Sequence, residues 1–406
     1  MKFDINKIGI YLSSYKYSLI TFTIIIVLYQ LIIVTFIPLD SKVHGDERHF
    51  IETIRYFSDF DLHKVKDYKE VAPPLVFIIY AIWGKIFGFE VQNLRIFSLI
   101  IAFLTFLVLH YLFFRTFQRK NYIIPVLFFF LLNPYIIGFN VFVFTDMLTL
   151  LFVILFCIAV YRDLTLLLFF SASAALLCRQ YAIFILTAGI LYYIVVFFTK
   201  REKKILINTL SIALSMIPLL VLFIVWKGLA PQSGLDYWVG QNGMHFNLNN
   251  LTTYLLMSVV YSFPIMIFRF KYLFSFKILL IVAIAGVVYF IFPVEPSTVT
   301  VEMTMHDTVG LFHRSLKTFT ISYTIEHIIF YFFFVLGLGL LWCISMNLYD
   351  RFSNKEIDYN LFTEIAYLCF LLIMPFSYQV WEKYLIIVLP IIFIIILEGN
   401  RRFECK

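Results

Sequence analysis

Apolar residues fall in long unbroken runs separated by short polar clusters, not in the alternation of a half-buried strand or the narrow stripe of a soluble helix. The first run, Tyr17–Ile37, is long enough to cross a bilayer. It is too long for a cleavable signal peptide, and no small-residue cleavage site follows it. Similar runs occupy Leu94–Phe114, Tyr122–Phe139, Val141–Tyr161, Leu164–Leu177, Tyr181–Phe198 and Ile205–Val225. They resume at Leu251–Phe268, Phe276–Phe292, Tyr323–Leu348, Leu361–Tyr378 and Tyr384–Leu397. Leu164–Leu177 is short for a span. Together with the first, these predict an all-α polytopic membrane protein of about twelve transmembrane helices, read as one membrane domain over the whole chain. No internal repeat is visible, which counts against a transporter built from inverted halves.

Residues 38–92 read as a first outer loop with juxtamembrane helices. Within it, Phe50, Ile54 and Phe57 recur at helical spacing, which predicts a short amphipathic helix lying on the membrane. The apolar run Val71–Phe89 opens with Pro73-Pro74 and carries Lys85 near its end. If it spanned, the basic clusters Arg115–Lys120 and Lys200–Lys204 would face outward. A re-entrant or interfacial segment puts both in the cytoplasm, so Val71–Phe89 is read as non-spanning. Lys2, Lys7 and Lys16 set the N-terminus inside. Later cytoplasmic loops then carry Arg269 and Lys271, then Arg351 to Lys355, and the tail Arg401, Arg402 and Lys406, so both termini are cytoplasmic.

Composition agrees with the pattern. Charged residues are 14% of the chain and hydrophobic residues 62%, where a soluble domain carries about 25% charged. The net charge of +7 sits in short clusters between spans, which explains it by orientation without nucleic acid. Five cysteines are scattered, with no CxxC or metal-ligand spacing: Cys157, Cys178, Cys343 and Cys369 in or beside apolar runs, and Cys405 near the C-terminus.

The charge reading collects the chemistry-bearing residues on one outer face. His44-Gly45-Asp46-Glu47 sets two carboxylates just past the first span. Asp146 begins a later span, and Arg179-Gln180 sits in a hinge between two apolar runs. Lys227 opens an outer loop holding Asp236, His245 and Asn247, and Lys383 precedes the last span. A further outer loop carries Glu295, Glu302, His306, Asp307, His313, Arg314 and Lys317. Simpler roles are open to several of them. Asp46 and Glu47 could be solvated, Asp146 could cap its helix, and Arg179 and Lys383 could be interfacial cations. His306 and His313 match no helical metal pair. Carboxylates with isolated cations at a membrane face suit transfer from a polyprenyl-phosphate donor. The cations stabilise the departing phosphate, and a carboxylate takes the proton of the acceptor hydroxyl. A phosphate leaves without protonation, so one base suffices for inverting transfer.

The order of these motifs resembles GT-C glycosyltransferases, and most of all the dolichyl-phosphate-glucose glucosyltransferases that add the terminal glucose of lipid-linked oligosaccharides. The resemblance spans most of the chain. That family has an Asp-Glu pair followed by an aromatic-His segment, here Asp46-Glu47-Arg48-His49-Phe50. Its Thr-Pro-Pro-Gly-Leu stretch is here Ala72-Pro73-Pro74-Leu75, without the glycine. Its Tyr-Thr-Asp motif is Phe144-Thr145-Asp146, and its Arg-Gln-Thr-Asn motif keeps only Arg179-Gln180 before Tyr181-Ala182. Its Arg-Tyr-Tyr motif is weakly matched by Glu382-Lys383-Tyr384. The resemblance implies Asp46 as catalytic base, with Glu47 orienting or alternative. It implies Asp146, Arg179, Gln180 and Lys383 as substrate-binding residues, with Arg179 and Lys383 on the donor phosphate; His44 and Lys227, on the same outer face, are further candidates for substrate binding. No cofactor is implied, and the adjacent Asp46-Glu47, unlike an Asp-x-Asp pair, makes no case for a metal. The high Phe, Ile, Tyr and Lys content looks like that of a low-GC bacterium, where the donor would be undecaprenyl-linked and the acceptor an envelope glycan, a lipid-linked sugar or a protein. The rival reading is a transporter or flippase of lipid-linked glycans. Such a protein would carry charges mid-span, where this sequence looks nearly free of them.

The topology is checked by cysteine accessibility. A cysteine placed at Gln118 is expected to resist an impermeant reagent applied from outside; labelling there would reverse the assignment.

Overall fold

The computed structural model describes residues 14–238, 246–267, 278–296, 301, 307–320, 322–377 and 379–398. Lys2, Lys7, His245, Arg269, Lys271, Glu302, His306, Arg401, Arg402, Cys405 and Lys406 lie outside them. Among the described residues every regular element is a helix. Contacts gather in two compact units: residues 1–183 with 207–238, and residues 184–206 with 239–406.

The first unit holds α1 (Tyr15–Phe36), α2 (Glu47–Tyr56), α3 (Leu75–Phe87), α4 (Val91–Thr116), α5 (Ile123–Leu131), α6 (Pro134–Val141), α7 (Asp146–Arg162) and α8 (Thr165–Cys178). After α9 (Ile183–Lys200), which packs in the second unit, come α10 (Lys203–Leu214), α11 (Ile217–Trp226) and α12 (Gln232–Trp238). The second unit continues with α13 (Leu248–Met266), α14 (Ile278–Ile291), α15 (Leu311–Thr320), α16 (Tyr323–Asn354), α17 (Tyr359–Ile373) and α18 (Leu389–Glu398).

Among the described residues, six stretches are long and apolar enough to cross a bilayer: Tyr15–Phe36, Val91–Thr116, Gln180–Lys200, Lys203–Trp226, Tyr323–Asn354 and Tyr359–Phe376. The chain is therefore an integral membrane protein with several long apolar helices. Counting the bent pair α5–α6 as one span gives seven. That pair corrects the expectation of a straight span over Tyr122–Phe139. The two segments meet at 73°. Asn133 takes the Tyr135 N–H as the cap of α6, and Pro134 follows at its first turn. A proline there cannot continue the preceding helix but suits the start of the next. The run Val141–Tyr161 is likewise not helical throughout, since Phe142 is extended and α7 begins only at Asp146. Over Val71–Phe89 the helix is 13 residues, about 20 Å at the usual rise and short of a bilayer core.

A second correction concerns α2. Its stripe of Phe50, Ile54 and Phe57 does not rest on lipid; these side chains are 3%, 0% and 2% exposed. They pack within the first unit, Phe50 against Phe77 of α3 and Phe57 against Tyr68. Uncharged polar side chains also pair between these helices. Ser18 of α1 meets His110 of α4 at 2.8 Å, and Gln30 of α1 donates to Asn140 of α6 at 3.0 Å.

The deepest ion pair fixes the entry to this unit. Arg95 of α4 and Glu47 of α2 are both fully buried. Arg95 Nε and Nη2 donate to the two carboxylate oxygens at 2.9 and 2.6 Å. The same guanidinium donates to the carbonyls of Leu39, Ser41 and Lys42, between α1 and α2. Glu47 also accepts the N–H of Val143 at 3.1 Å and of His44 at 3.2 Å. One buried pair thus joins α2, α4, the chain leaving α1 and the chain entering α7.

The second unit uses a comparable device. The buried carboxylate of Glu382 accepts the backbone N–H groups of Phe312 and His313 at 2.9 Å each, at the start of α15, and the Tyr261 hydroxyl at 2.5 Å. These are donors that no helix can satisfy internally. His313 Nδ1 accepts the Val309 N–H, so its Nε2 proton points to Glu326 at 2.8 Å. Gly337 of α16 lies so close to the Leu255 carbonyl of α13 that a Cβ would stand 2.7 Å from that oxygen.

Arg95→Met is expected to lower stability by about 3–5 kcal/mol, because it leaves a buried carboxylate without its counter-charge. Arg48→Ala, which breaks the exposed Arg48–Glu52 pair, is expected to change little. Denaturant unfolding of the two variants in detergent makes the comparison; equal losses would refute the assignment.

Candidate functional site

The site is built on the first turn of α2. Asp46 precedes the helix and His49 lies one turn on, so both face the same side. Their side chains approach to 3.7 Å, His49 Nε2 to Asp46 Oδ1. Asp46 keeps 40% of its side chain exposed. The other imidazole nitrogen donates to Glu70 at 2.5 Å, and Glu70 is only 4% exposed. Burial alone would lower the basicity of His49, but the bonds and charges of Asp46 and Glu70 outweigh it and raise its pKa to about 9. The ring is therefore an imidazolium at neutral pH, held between two carboxylates. Glu70 is pushed above the usual carboxylate range by burial, with His49 and Arg179 acting against the rise and Asp46 adding to it.

Arg179 connects this group to the next. It stands where α8 ends and a short 3-10 turn, Gln180–Ala182, begins, in extended conformation. Its guanidinium lies 3.5 Å from Asp146 and is 10% exposed. Asp146 is fully buried in the first turn of α7, where the helix dipole favours a negative charge. It also accepts the Tyr181 hydroxyl at 3.1 Å. Asp46, His49 and Glu70 thus form one group, and Arg179, Asp146 and Tyr181 a second, with Arg179 acting electrostatically on Glu70. Asp46 and Arg179 both act on Glu70 and share it as a neighbour.

The remaining expected residues have other surroundings. Glu47 is next to Asp46 in sequence but turned inward. All four acceptor positions of its carboxylate are taken by Arg95, Val143 and His44. His44 gives Glu47 its backbone N–H, and its exposed ring packs on Phe142. Gln180 spends its amide on the carbonyls of Val71, at 2.5 Å, and Leu229, so it braces the segment after Glu70. Lys227 is exposed at the end of α11, in the left-handed region at φ 55°. Lys383 belongs to the second unit, above the rings of Trp381 and Tyr384.

Sequence reasoning passed over Glu70, Tyr181 and Arg95 and gave His49 no role of its own. The spacing of His49 three residues after Asp46 was a usable signal. Glu70, 21 residues from its imidazole, gave none. Among the described residues no group of three His, Cys, Asp or Glu side chains is arranged to hold a metal ion.

No protein-family model, no curated protein and no solved structure matches this chain.

The raised pKa of His49 gives a test with a definite sign. The folded protein holds this proton more tightly than the unfolded chain, whose histidine titrates near the ordinary 6.5. The stabilisation is complete below pH 6.5 and is lost as pH rises through about 9. Thermal unfolding of wild type and His49→Gln is expected to show a stability gap that narrows across that window. A gap independent of pH would mean that the imidazole is not charged.

Proposed function

We propose that this protein is a membrane glycosyltransferase of the GT-C kind. It moves a sugar, a hexose such as glucose, from a polyprenyl-phosphate donor to an envelope glycan, lipid-linked or protein acceptor. In this reading the full membrane domain has about twelve transmembrane helices, counting shorter apolar segments with the long ones. It lies in a bacterial plasma membrane with cytoplasmic termini and an outer-face active site. The single observation that carries the reading is the grouping of four charges from four separate stretches: Asp46 and Glu70 beside the two ring nitrogens of His49, and Arg179, paired with Asp146, acting on Glu70. Transfer needs a base and a phosphate-stabilising cation within a few ångströms of one carbon.

In the proposed mechanism Asp46 is the general base. It is the one carboxylate of the group with substantial exposure. It stands 3.7 Å from the His49 ring and receives the acceptor's proton in this reading. His49 keeps Asp46 oriented, and Glu70 fixes His49 from the opposite side. Arg179 stabilises charge on the departing phosphate, with Asp146 and Tyr181 holding its guanidinium. The acceptor oxygen forms a bond to the anomeric carbon as that carbon loses its bond to the phosphate oxygen. The acceptor proton goes to Asp46, and inversion follows from attack opposite the leaving group.

Asp46→Asn keeps the shape and removes the base. Its turnover is expected to fall by about a hundred- to ten-thousand-fold with donor binding little changed. Arg179→Ala is expected to weaken donor binding and turnover together. The assay is hydrolysis of a purified polyprenyl-phosphate hexose to water, which needs no acceptor. Full activity in Asp46→Asn would sink the mechanism.

A further inference from the structure

Glu70 sits on an irregular stretch between the short 3-10 helix Leu62–Lys66 and α3. The main chain of such a stretch must find its partners elsewhere. Side chains supply several of them. Tyr56 of α2 donates to the Asp67 carbonyl at 3.3 Å, and Tyr68 to the Ala72 carbonyl at 2.8 Å. Gln180 reaches the Val71 carbonyl at 2.5 Å, and Trp226 the Val65 carbonyl at 2.8 Å.

The main chain of Glu70 itself is met by α12. Gly234 lies so close that a Cβ on it would stand 2.5 Å from the Glu70 carbonyl oxygen, 2.7 Å from the carbonyl carbon and 3.2 Å from the Val71 nitrogen. All three are backbone atoms, so no flexible side chain can turn aside to make room. The residue before it fixes the approach. Ser233 donates both its N–H and its hydroxyl to the Asp67 carboxylate, at 3.0 and 2.5 Å. Helix α12 has only seven residues, too few to persist on their own, so it depends on contacts of this kind. Alanine is favoured over glycine in a helix interior. The glycine therefore weakens α12 and permits the close approach.

The other end of the same residue holds the candidate site. The Glu70 carboxylate meets His49 Nδ1 at 2.5 Å and is only 4% exposed. A short, charge-assisted bond weakens quickly when its partners are displaced. We infer that Gly234 and Ser233 are positioning residues for the site: α12 sets the Glu70 peptide, Glu70 sets the His49 ring, and the ring sets Asp46. The last link, to turnover, rests on the glycosyltransferase reading; the setting of His49 does not. The His49 ring reports on this path because Asp46 and Glu70 hold its proton. The other ionisable groups around it are Glu52 and Tyr56 on α2, Asp67, Tyr68 and Lys69 on the stretch, and Tyr237 on α12, with Arg179 acting on Glu70. An alanine at 234 acts on Glu70 first.

The test uses the full-length protein in detergent with labelled histidine rings, the His49 signal being identified by its loss in His49→Gln. NMR titration of wild type is expected to place His49 near 9, well above the ordinary 6.5. Gly234→Ala is expected to bring that value down toward 6.5, because the added carbon must move the Glu70 peptide. Ser233→Ala is expected to lower it less, and Ser233→Thr, which keeps the hydroxyl, to restore it. A folded Gly234→Ala protein with the wild-type titration would overturn the inference. Should Gly234→Ala fail to fold, the Ser233 pair decides: a titration unchanged in Ser233→Ala, or a fall that Ser233→Thr leaves in place, overturns it equally. In donor hydrolysis, Gly234→Ala is expected to lower kcat several-fold with KM little changed, since Arg179 is held by Asp146 and not by α12. Full kcat in a variant whose His49 titration has fallen would break the link to turnover. Absence of hydrolysis by wild type would instead end the glycosyltransferase reading and leave the titration result standing.

Discussion

The first unit hangs on a guanidinium with no water around it. Arg95 reaches from the start of α4 into the space between α1 and α2, and its donors are consumed by Glu47 and by carbonyls of the connecting chain. Taking both charges out of water is costly, and only near-complete satisfaction of their hydrogen bonds offsets it. That requirement makes the geometry narrow. Glu47 can face Arg95 only if α2 begins at the observed residue, and Val143 can reach Glu47 only if helix α6 ends before it. Asp46, the neighbour of Glu47, is thereby turned outward, and Asp146, three residues after Val143, is brought to the same region. The candidate site inherits its precision from a buried pair next to it in the chain.

Charge balance explains how so many ionisable groups share this small volume. Three carboxylates, Asp46, Glu70 and Asp146, are interleaved with two cations, His49 and Arg179. Each buried charge has an opposite neighbour, so none bears its desolvation alone. The arrangement leaves one residual negative charge, and the most exposed member, Asp46, is where a substrate can meet it.

Much of this was legible in the sequence, and the limits of that legibility have physical causes. The apolar runs gave the all-helical membrane character directly, because length and hydropathy alone decide whether a helix suits a bilayer. Phe50, Ile54 and Phe57 gave helix α2 by their spacing. The same residues misdirected its setting, since an apolar stripe looks alike whether it faces lipid or another helix. The bend at Asn133-Pro134 was written in the residues, as a cap followed by a proline, but was hidden inside a run read only for hydropathy. Asp146 and Arg179 were found as isolated charges at the ends of apolar runs, and the structure puts them in contact. The inward turn of Glu47 was hidden because adjacency in sequence says nothing about side chains on opposite faces of a helix start. Glu70 and Arg95 depend on contacts 21 and 48 residues away, and no local pattern encodes those.

The Glu382 cap carries a consequence for the order in which the protein is made. Helix α15 is ten residues long, too short to persist alone in water. Two of its leading N–H groups find their acceptor about seventy residues downstream. At the usual pace of synthesis, roughly 5–20 residues per second, that acceptor emerges about 4–14 s later. Until then the segment is already on the ribosome's far side with its amide protons uncommitted. The C-terminal stretch around Glu382 is thus the clasp that closes the second unit, and a nascent chain halted before it would leave α15 without the bond that finishes its first turn.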